Sequence, residues 1–216
     1  MSSIKKVAVI GLGSIGKAVA KNLVKGNHPV IVASRKLEDA HNYAKTLGSL
    51  ATATDTESAI KEADILILSV WFDVEQELLK KHASELDGKI IIDPSNPIVP
   101  DEKGGFKKII SENESSGEII ATLVPSNAKF VKAFGTLGAE TLGSAAFATP
   151  ERNVLFYASD DQSVDDDIEN LITDSGFDAV KVGGINKSIR IEVFGDLNEF
   201  GGLGKAITKE VAVSKL

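Results

Sequence analysis

Short apolar runs alternate with amphipathic stretches over the first two thirds of the chain. Val7–Ile10, Pro29–Ala33, Leu50–Ala53, Ile65–Leu68 and Ile90–Ile92 read as strands, Leu50–Ala53 the weakest of them. Ile65–Leu68 has no polar position, which suits a strand covered on both faces. Between the runs lie helix patterns. The first has Ala18, Val19, Leu23 and Val24 as its apolar stripe, and the second, Leu37–Leu47, stops at Gly48. The third, Asp55–Glu62, opens with Asp55 and Glu57, where the helix dipole favours acids. The fourth is Val74–Ala83. Strict alternation of this kind predicts an α/β fold, a doubly wound parallel sheet with helices on both faces.

The pattern changes at Pro94. Residues 94–117 hold three prolines and three glycines and read as a long loop, with one turn of structure near Phe106–Ile110. Such a loop is either functional or a tolerated surface excursion. Glu118–Val124 reads as a helix ended by Pro125, and Phe130–Phe134 as a sixth strand. A Gly/Ala/Thr-rich bridge then runs to Pro150. Beyond it, Val154–Ala158 and Ala179–Val182 read as strands and Ser163–Ser175 as a helix, with Ser163 as N-cap and Asp165, Asp166 and Asp167 in the first turn. That aspartate cluster suits a helix start better than a metal site. A final helix is expected over Lys187–Phe194, and the glycine-rich 195–204 is expected to drape over a pocket mouth. The reading is a main domain over 1–150 and a small C-terminal extension, 151–216, packed on it.

The chemistry starts where the first strand ends. Gly11, Gly13 and Gly16 form G-x-G-x-x-G between a strand and a helix, the setting a dinucleotide fingerprint requires. Gly11 permits the tight turn, Gly13 lets backbone amides approach a pyrophosphate, and Gly16 lets helix and strand pack closely. Leu12, Ser14 and Ile15 complete the turn, and the helix N-terminus favours phosphate. The alternative is a glycine turn with no ligand. Here the preceding strand, the following helix and the first-strand position agree, so cofactor binding is preferred and the fold is expected to be of the Rossmann type. The second strand ends in Ser34-Arg35-Lys36 with no carboxylate before Glu38. An acid there reads the 2′-hydroxyl in NAD enzymes. A hydroxyl followed by two cations suits a 2′-phosphate instead, with Arg35 able to grip it bidentately. NADP(H) is therefore the expected cofactor. The alternative has Ser34 capping the next helix and Arg35 solvated.

Composition narrows the classes. A net charge of −7 argues against nucleic acid and against an anionic membrane surface as partners. The absence of cysteine removes disulfides, thiolate nucleophiles and cysteine metal sites, and His28, His41 and His82 have no chelating spacing. Lys5-Lys6 before Val7–Ile10 faintly resembles a signal peptide, but glycines and Lys17 interrupt the apolar run, so a cytoplasmic protein is expected. His82, on the fourth helix, is expected at the surface. The oligomeric state is left open, with a homodimer as one option.

The chain resembles the NADPH-dependent reductases of the deazaflavin coenzyme F420, the coenzyme F420:NADP oxidoreductases, and more distantly the reductase domain of the STEAP metalloreductases. The likeness runs through Val9–Gly16, Val32-Ala33-Ser34-Arg35, Leu68-Ser69-Val70-Trp71, Ile92-Asp93-Pro94-Ser95-Asn96-Pro97, and Val131–Thr136 against the family's K-A-F-N-T strand. Val182-Gly183-Gly184-Ile185 with Arg190 resembles a late D-x-G-P-L…R segment. Gly135 replaces the family's Asn, Gly184 its Pro, and Lys181 or Val182 its late acid; these departures are expected where the second substrate sits. The resemblance implies hydride transfer between NADP(H) and a flavin-like or deazaflavin acceptor.

Ligands of parallel sheets lie beyond the carboxyl ends of the strands. Ser69, Val70 and Trp71 leave the fourth strand and are expected to line the cofactor site, Trp71 either walling the nicotinamide or capping the core. Asn96 and Pro97 leave the fifth and are expected to line the cofactor site as well. Asn96 either bonds the nicotinamide ribose or carboxamide, or belongs to a rigid turn capped by Asp93. Pro97, Ala133, Phe134, Gly135 and Thr136 are the expected second-substrate residues. No acid–base pair stands out, since Tyr43 and Tyr157 lack an obvious lysine partner. That suits hydride transfer between stacked rings better than alcohol oxidation. Two rival readings remain: a non-enzymatic NADP-binding redox sensor, and a short relative of the pyrroline-5-carboxylate reductases, for whose helical dimerisation domain the stretch after Pro150 is too short.

Overall fold

The computed structural model describes residues 5–216. Eight strands form one twisted sheet: β1 (Val7–Ile10), β2 (Val30–Ala33), β3 (Ala51–Thr54), β4 (Ile65–Leu68), β5 (Ile90–Asp93), β8 (Lys129–Ala133), β9 (Val154–Ala158) and β10 (Asp178–Gly183). Their spatial order is β10-β9-β8-β5-β4-β1-β2-β3. Every pairing is parallel except β8 with β9. The strand order reverses at β1, so the crevice beyond the carboxyl ends of β1 and β4 is the switch point where such sheets take ligands.

The helices α1 (Ser14–Lys25), α2 (Leu37–Leu47), α3 (Thr56–Glu62), α4 (Phe72–Lys81), α5 (Ser116–Ala121), α6 (Ala139–Ser144) and α7 (Asp165–Asp174) cover the sheet, and α8 (Ser188–Ile191) and α9 (Lys209–Val213) are short. Successive strand residues point to opposite faces. Val7, Val9, Ile65 and Ile67 therefore join one core layer with Val19 and Leu23 of α1 and Leu171 of α7. Ala8, Ile10, Leu66 and Leu68 join the other with Ile60 of α3, Leu79 of α4 and Ile120 of α5. Both layers are closed, which is why β1 and β4 carry no polar residue.

Several expectations change. The 94–117 stretch is not one long loop, because β6 (Ile98–Pro100) and β7 (Phe106–Lys108) pair as an antiparallel hairpin. The expected Lys187–Phe194 helix shrinks to α8: at Glu192 the backbone turns extended and the side chain is drawn to α5. Asp161, not Ser163, caps the turn before α7, accepting from the Ser163 amide. His82 is buried, not surface, because α4 ends there and the chain folds under it into a short 3-10 turn. Among the described residues, no helix is long and apolar enough to cross a membrane, and no group of carboxylates and histidines could hold a metal.

Candidate functional site

A groove of about 1250 Å³ opens at the switch point. That exceeds the roughly 300–1,000 Å³ usual for one small ligand. Gly11, Leu12, Gly13, Ser14 and Ile15 form its centre, Ser34, Arg35 and Lys36 one end, and Ser69, Val70, Trp71, Asn96 and Gly135 the other.

The glycine turn is built as its spacing requires. Gly11 has φ +96°, a region L side chains avoid, and a Cβ there would collide with the Ser69 carbonyl. A Cβ on Gly16 would collide with the Gly11 carbonyl, so Gly16 is the helix-to-turn contact and lies beneath the groove. A Cβ on Gly13 would meet nothing within 4 Å. It would project into free space where the helix N-terminus offers unpaired amides, which is the fit a pyrophosphate needs.

At the β2 end Ser34 does not cap α2; its hydroxyl donates to the Lys36 carbonyl at 2.6 Å. Arg35 and Lys36 are exposed and, among the described residues, make no ion pair. Two unpaired cations beside a groove suit a phosphate.

The other end is aromatic. Trp71 precedes α4 and is 54% exposed, so it is not a core residue. Phe106 of the hairpin and Phe200 of the glycine-rich segment, 49% and 56% exposed, line the same end. That segment is tied down across the groove: the Glu199 amide donates to the Thr136 carbonyl at 2.9 Å, and Glu199 accepts from the Gly138 amide at 2.6 Å. Asn96 lines the groove, but its amide is engaged by the scaffold. Its Nδ2 donates to the Gly135 carbonyl at 3.1 Å and its Oδ1 accepts from the Val193 amide at 2.7 Å. Gly135 is wedged against Pro94, whose carbonyl oxygen would stand 2.7 Å from a Cβ.

Four expected second-substrate residues do not reach the groove. Pro97, Ala133, Phe134 and Thr136 are buried behind it. β8 is an interior strand covered on both faces, and Phe134, with φ +64°, turns its ring into the core. Lys181 and Gly184 also lie elsewhere. Lys181 pairs with Asp165 at 2.7 Å, and Gly184 abuts Asp160. Arg190 pairs with Asp196 at 2.8 Å. Of the departures from the family pattern, Gly135 alone borders the groove.

Beneath the aromatic end lies a polar network that the sequence reading did not anticipate. The Lys132 ammonium donates to Asp93 at 2.6 Å, to the Ser95 carbonyl at 2.6 Å and to the Ser116 hydroxyl at 3.0 Å, all buried. Asp93 also accepts from the Ser95 amide, the capping role expected of it. The Ser95 hydroxyl meets Glu75 Oε2 at 2.9 Å, and Glu75 is fully buried on α4. Glu192 accepts from the Ser115 hydroxyl and from the Ser116 and Gly117 amides at 2.7–2.9 Å, closing the start of α5. Burial, then the Asp93 charge, raises the Glu75 carboxyl well above its ordinary range. Burial works against the Lys132 ammonium, but the nearby carboxylates, Asp93 first and then Glu192, outweigh it and raise it. Burial likewise opposes the Glu192 carboxylate, yet Lys132 and its three donors hold it below the ordinary value.

Fold, glycine turn and switch-point groove define a protein of the dinucleotide-binding Rossmann class. Residues 6–97 match the family described as NADP oxidoreductase, coenzyme F420-dependent, so this part of the chain carries that family's pattern, as its motifs indicated. The F420-dependent NADP reductase of Methanocaldococcus jannaschii is 31% identical over 103 residues, 43% of this chain and 46% of that protein. The prephenate dehydrogenase of Lactococcus lactis is 35% identical over 91 residues, 41% of this chain and 26% of that protein. The chain thus spans less than half the length of these curated relatives. A hypothetical protein of Sinorhizobium meliloti superposes with a TM-score of 0.83 at 26% identity, covering 97% of this chain and 98% of that one. An Arthrobacter protein assigned as an F420-dependent NADP-reductase gives 0.72 at 21% identity, covering 86% and 87%, a likeness of fold.

Proposed function

We propose that this protein is an NADP(H)-dependent oxidoreductase that exchanges hydride between the nicotinamide and a flat acceptor, a flavin-like or deazaflavin ring such as coenzyme F420. One observation supports this above the rest: a single groove runs from the unpaired Arg35 and Lys36, past the open face of Gly13, to the aromatic rim of Trp71, Phe106 and Phe200. Arg35, with Lys36 and Ser34, holds the 2′-phosphate. The amides of the 11–15 turn hold the pyrophosphate. Ser69, Val70 and Trp71 flank the nicotinamide, which supplies the hydride when bound. Asn96 acts as a positioning residue, fixing Gly135 and Val193 on either side of the acceptor end. The rim excludes water and offers ring faces for stacking.

The test has two parts. NADPH oxidation is followed with deazaflavin, FMN, FAD, quinone and ferric acceptors, and turnover is expected with a flat ring acceptor. Arg35→Ala is then titrated with NADPH and NADH. A charge-assisted contact to phosphate contributes about 1.5–3 kcal/mol, so NADPH affinity should fall about 10- to 150-fold with NADH affinity nearly constant. Equal losses for both dinucleotides, or a wild-type preference for NADH, refute the NADP assignment.

A further inference from the structure

Glu75 is the one carboxyl of the buried network with an oxygen left bare. It lies on the apolar face of α4, with Phe72 and Leu79. Lys132 donates to Asp93, Ser95 and Ser116, none of them Glu75. Glu75 Oε1 has no hydrogen-bond partner, and Oε2 meets only the Ser95 hydroxyl. An ionised carboxylate with one bare oxygen in a closed core costs far more than a protonated one. Burial and the neighbouring Asp93 charge outweigh the groups that favour the ionised form. Asp93 on β5 raises Glu75 by its charge, Lys132 on β8 and the Ser95 hydroxyl favour the ionised form but are outweighed, and Glu192 beyond α8 is held by α5.

Ser95 connects this store to the outside. It lines the groove beside Pro94 and Asn96, at the end where Trp71, Phe106 and Phe200 stand. Its amide and carbonyl are fixed by Asp93 and Lys132 and its hydroxyl meets Glu75, so the residue stands between Glu75 and the groove it lines. A heavy-atom separation of 2.9 Å serves a proton moving in either direction.

We propose that Glu75 is a proton store for the groove and that the Ser95 hydroxyl delivers its proton, so that the acceptor takes up a proton on a ring nitrogen or a carbonyl oxygen together with the hydride. The inference rests on the proposed oxidoreductase reading. As the hydride reaches the acceptor, Ser95 gives its O–H proton to that nitrogen or oxygen and takes the Glu75 proton in its place. The acceptor gains one hydride and one proton, NADPH becomes NADP⁺, and Glu75 is left as a carboxylate. Solvent protons restore it once the groove empties. Ser95 is the catalytic group here, and Glu75 acts through it.

The experiment pairs infrared spectroscopy with kinetics on the full chain. Wild type at pH 7 should show a protonated-carboxyl C=O band that is lost in Glu75→Gln and shifted in Ser95→Ala. Absence of that band, or its indifference to Ser95→Ala, overturns the proposal whether or not any acceptor turns over. With NADPH and a water-soluble naphthoquinone, wild-type kcat should decline as pH rises through the Glu75 titration, because only the protonated form donates. Glu75→Gln should lower kcat by about 10²-fold or more and flatten the profile, with NADPH affinity within about twofold. Wild-type kcat and pH profile in Glu75→Gln also overturn it. Failure of the wild type with every acceptor would sink the oxidoreductase reading instead, and the infrared arm still decides the proton store.

Discussion

Lys132→Met tests whether the polar network under the groove holds the fold together. The substitution keeps most of the length of the side chain and removes the ammonium. Three short hydrogen bonds vanish, and the Asp93 carboxylate, fully buried, keeps only the Ser95 amide as its donor. Breaking a buried pair by removing one partner costs about 3–5 kcal/mol, because the remaining charge is left uncompensated. Glu192 adds to the cost, since Lys132 is one of the groups that keep it ionised. With a urea m-value of about 2 kcal/mol/M, the unfolding midpoint should fall by about 1.5–2.5 M at unchanged m. Asp93→Asn with Lys132→Met should cost less than the two single changes added, since the pair is then removed together. A midpoint shift below about 0.5 M at constant m, corresponding to about 1 kcal/mol, would refute the reasoning, as would strict additivity in the cycle.

Two further tests follow from the site. Gly13→Ala should leave thermal stability unchanged but weaken NADPH binding in a calorimetric titration, since its Cβ meets only open groove; Gly16→Ala should lower Tm first, since its Cβ strikes the Gly11 carbonyl. The reverse pattern would remove Gly13 from the pyrophosphate site. Glu192→Gln should destabilise the protein at pH 7 by about 1.5–3 kcal/mol, read by urea unfolding. Because the folded Glu192 carboxyl is lowered, its contribution is present above the unfolded value near 4.5 and is lost as pH falls through the folded one. The gap between the two proteins should therefore narrow in acid, and a gap constant from pH 7 to pH 3 would count against this account.

What was legible in the sequence was local. The β1 run, the three glycines and the Ser34-Arg35-Lys36 tip lie within 30 residues of each other, and each follows from strand period, glycine freedom or charge alone. The antiparallel seam between β8 and β9 was not legible, because it depends on the path of the Gly/Ala/Thr-rich bridge, which carries no period. The buried network was hidden for a related reason: Glu75, Asp93, Lys132 and Glu192 come from four separate stretches, and each alone reads as a surface charge or a turn. Two signals were nonetheless present. Glu75 stands at i+3 from Phe72 and four before Leu79, inside the apolar stripe of α4. Lys132 interrupts the otherwise apolar run Phe130–Phe134. A charge inside a core pattern asks for a partner, and here the two charges lie in one network. His82 gave no such sign, because its burial comes from the turn that follows α4.

The polar members of the family-like motifs are mainly scaffold. Asp93 opens the D-x-x-N-P segment and Lys132 the K-A-F segment, and they pair with each other across the adjacent strands β5 and β8. Asn96, from the same segment as Asp93, ties Gly135 to Val193. Together they fix the floor of the groove while pointing most of their own hydrogen-bonding groups away from it. The side chains left free at the acceptor end are Trp71, Phe106 and Phe200, none of them in that network. Under the proposed function, the floor positions the reaction and the rim selects the ring. Substitutions at Phe106 and Phe200 should then change which acceptor is used, whereas substitutions at Asp93 or Lys132 should change stability before selectivity. If exchanging Phe106 or Phe200 for Ala scales turnover of all acceptors by one common factor, selection does not reside in the rim.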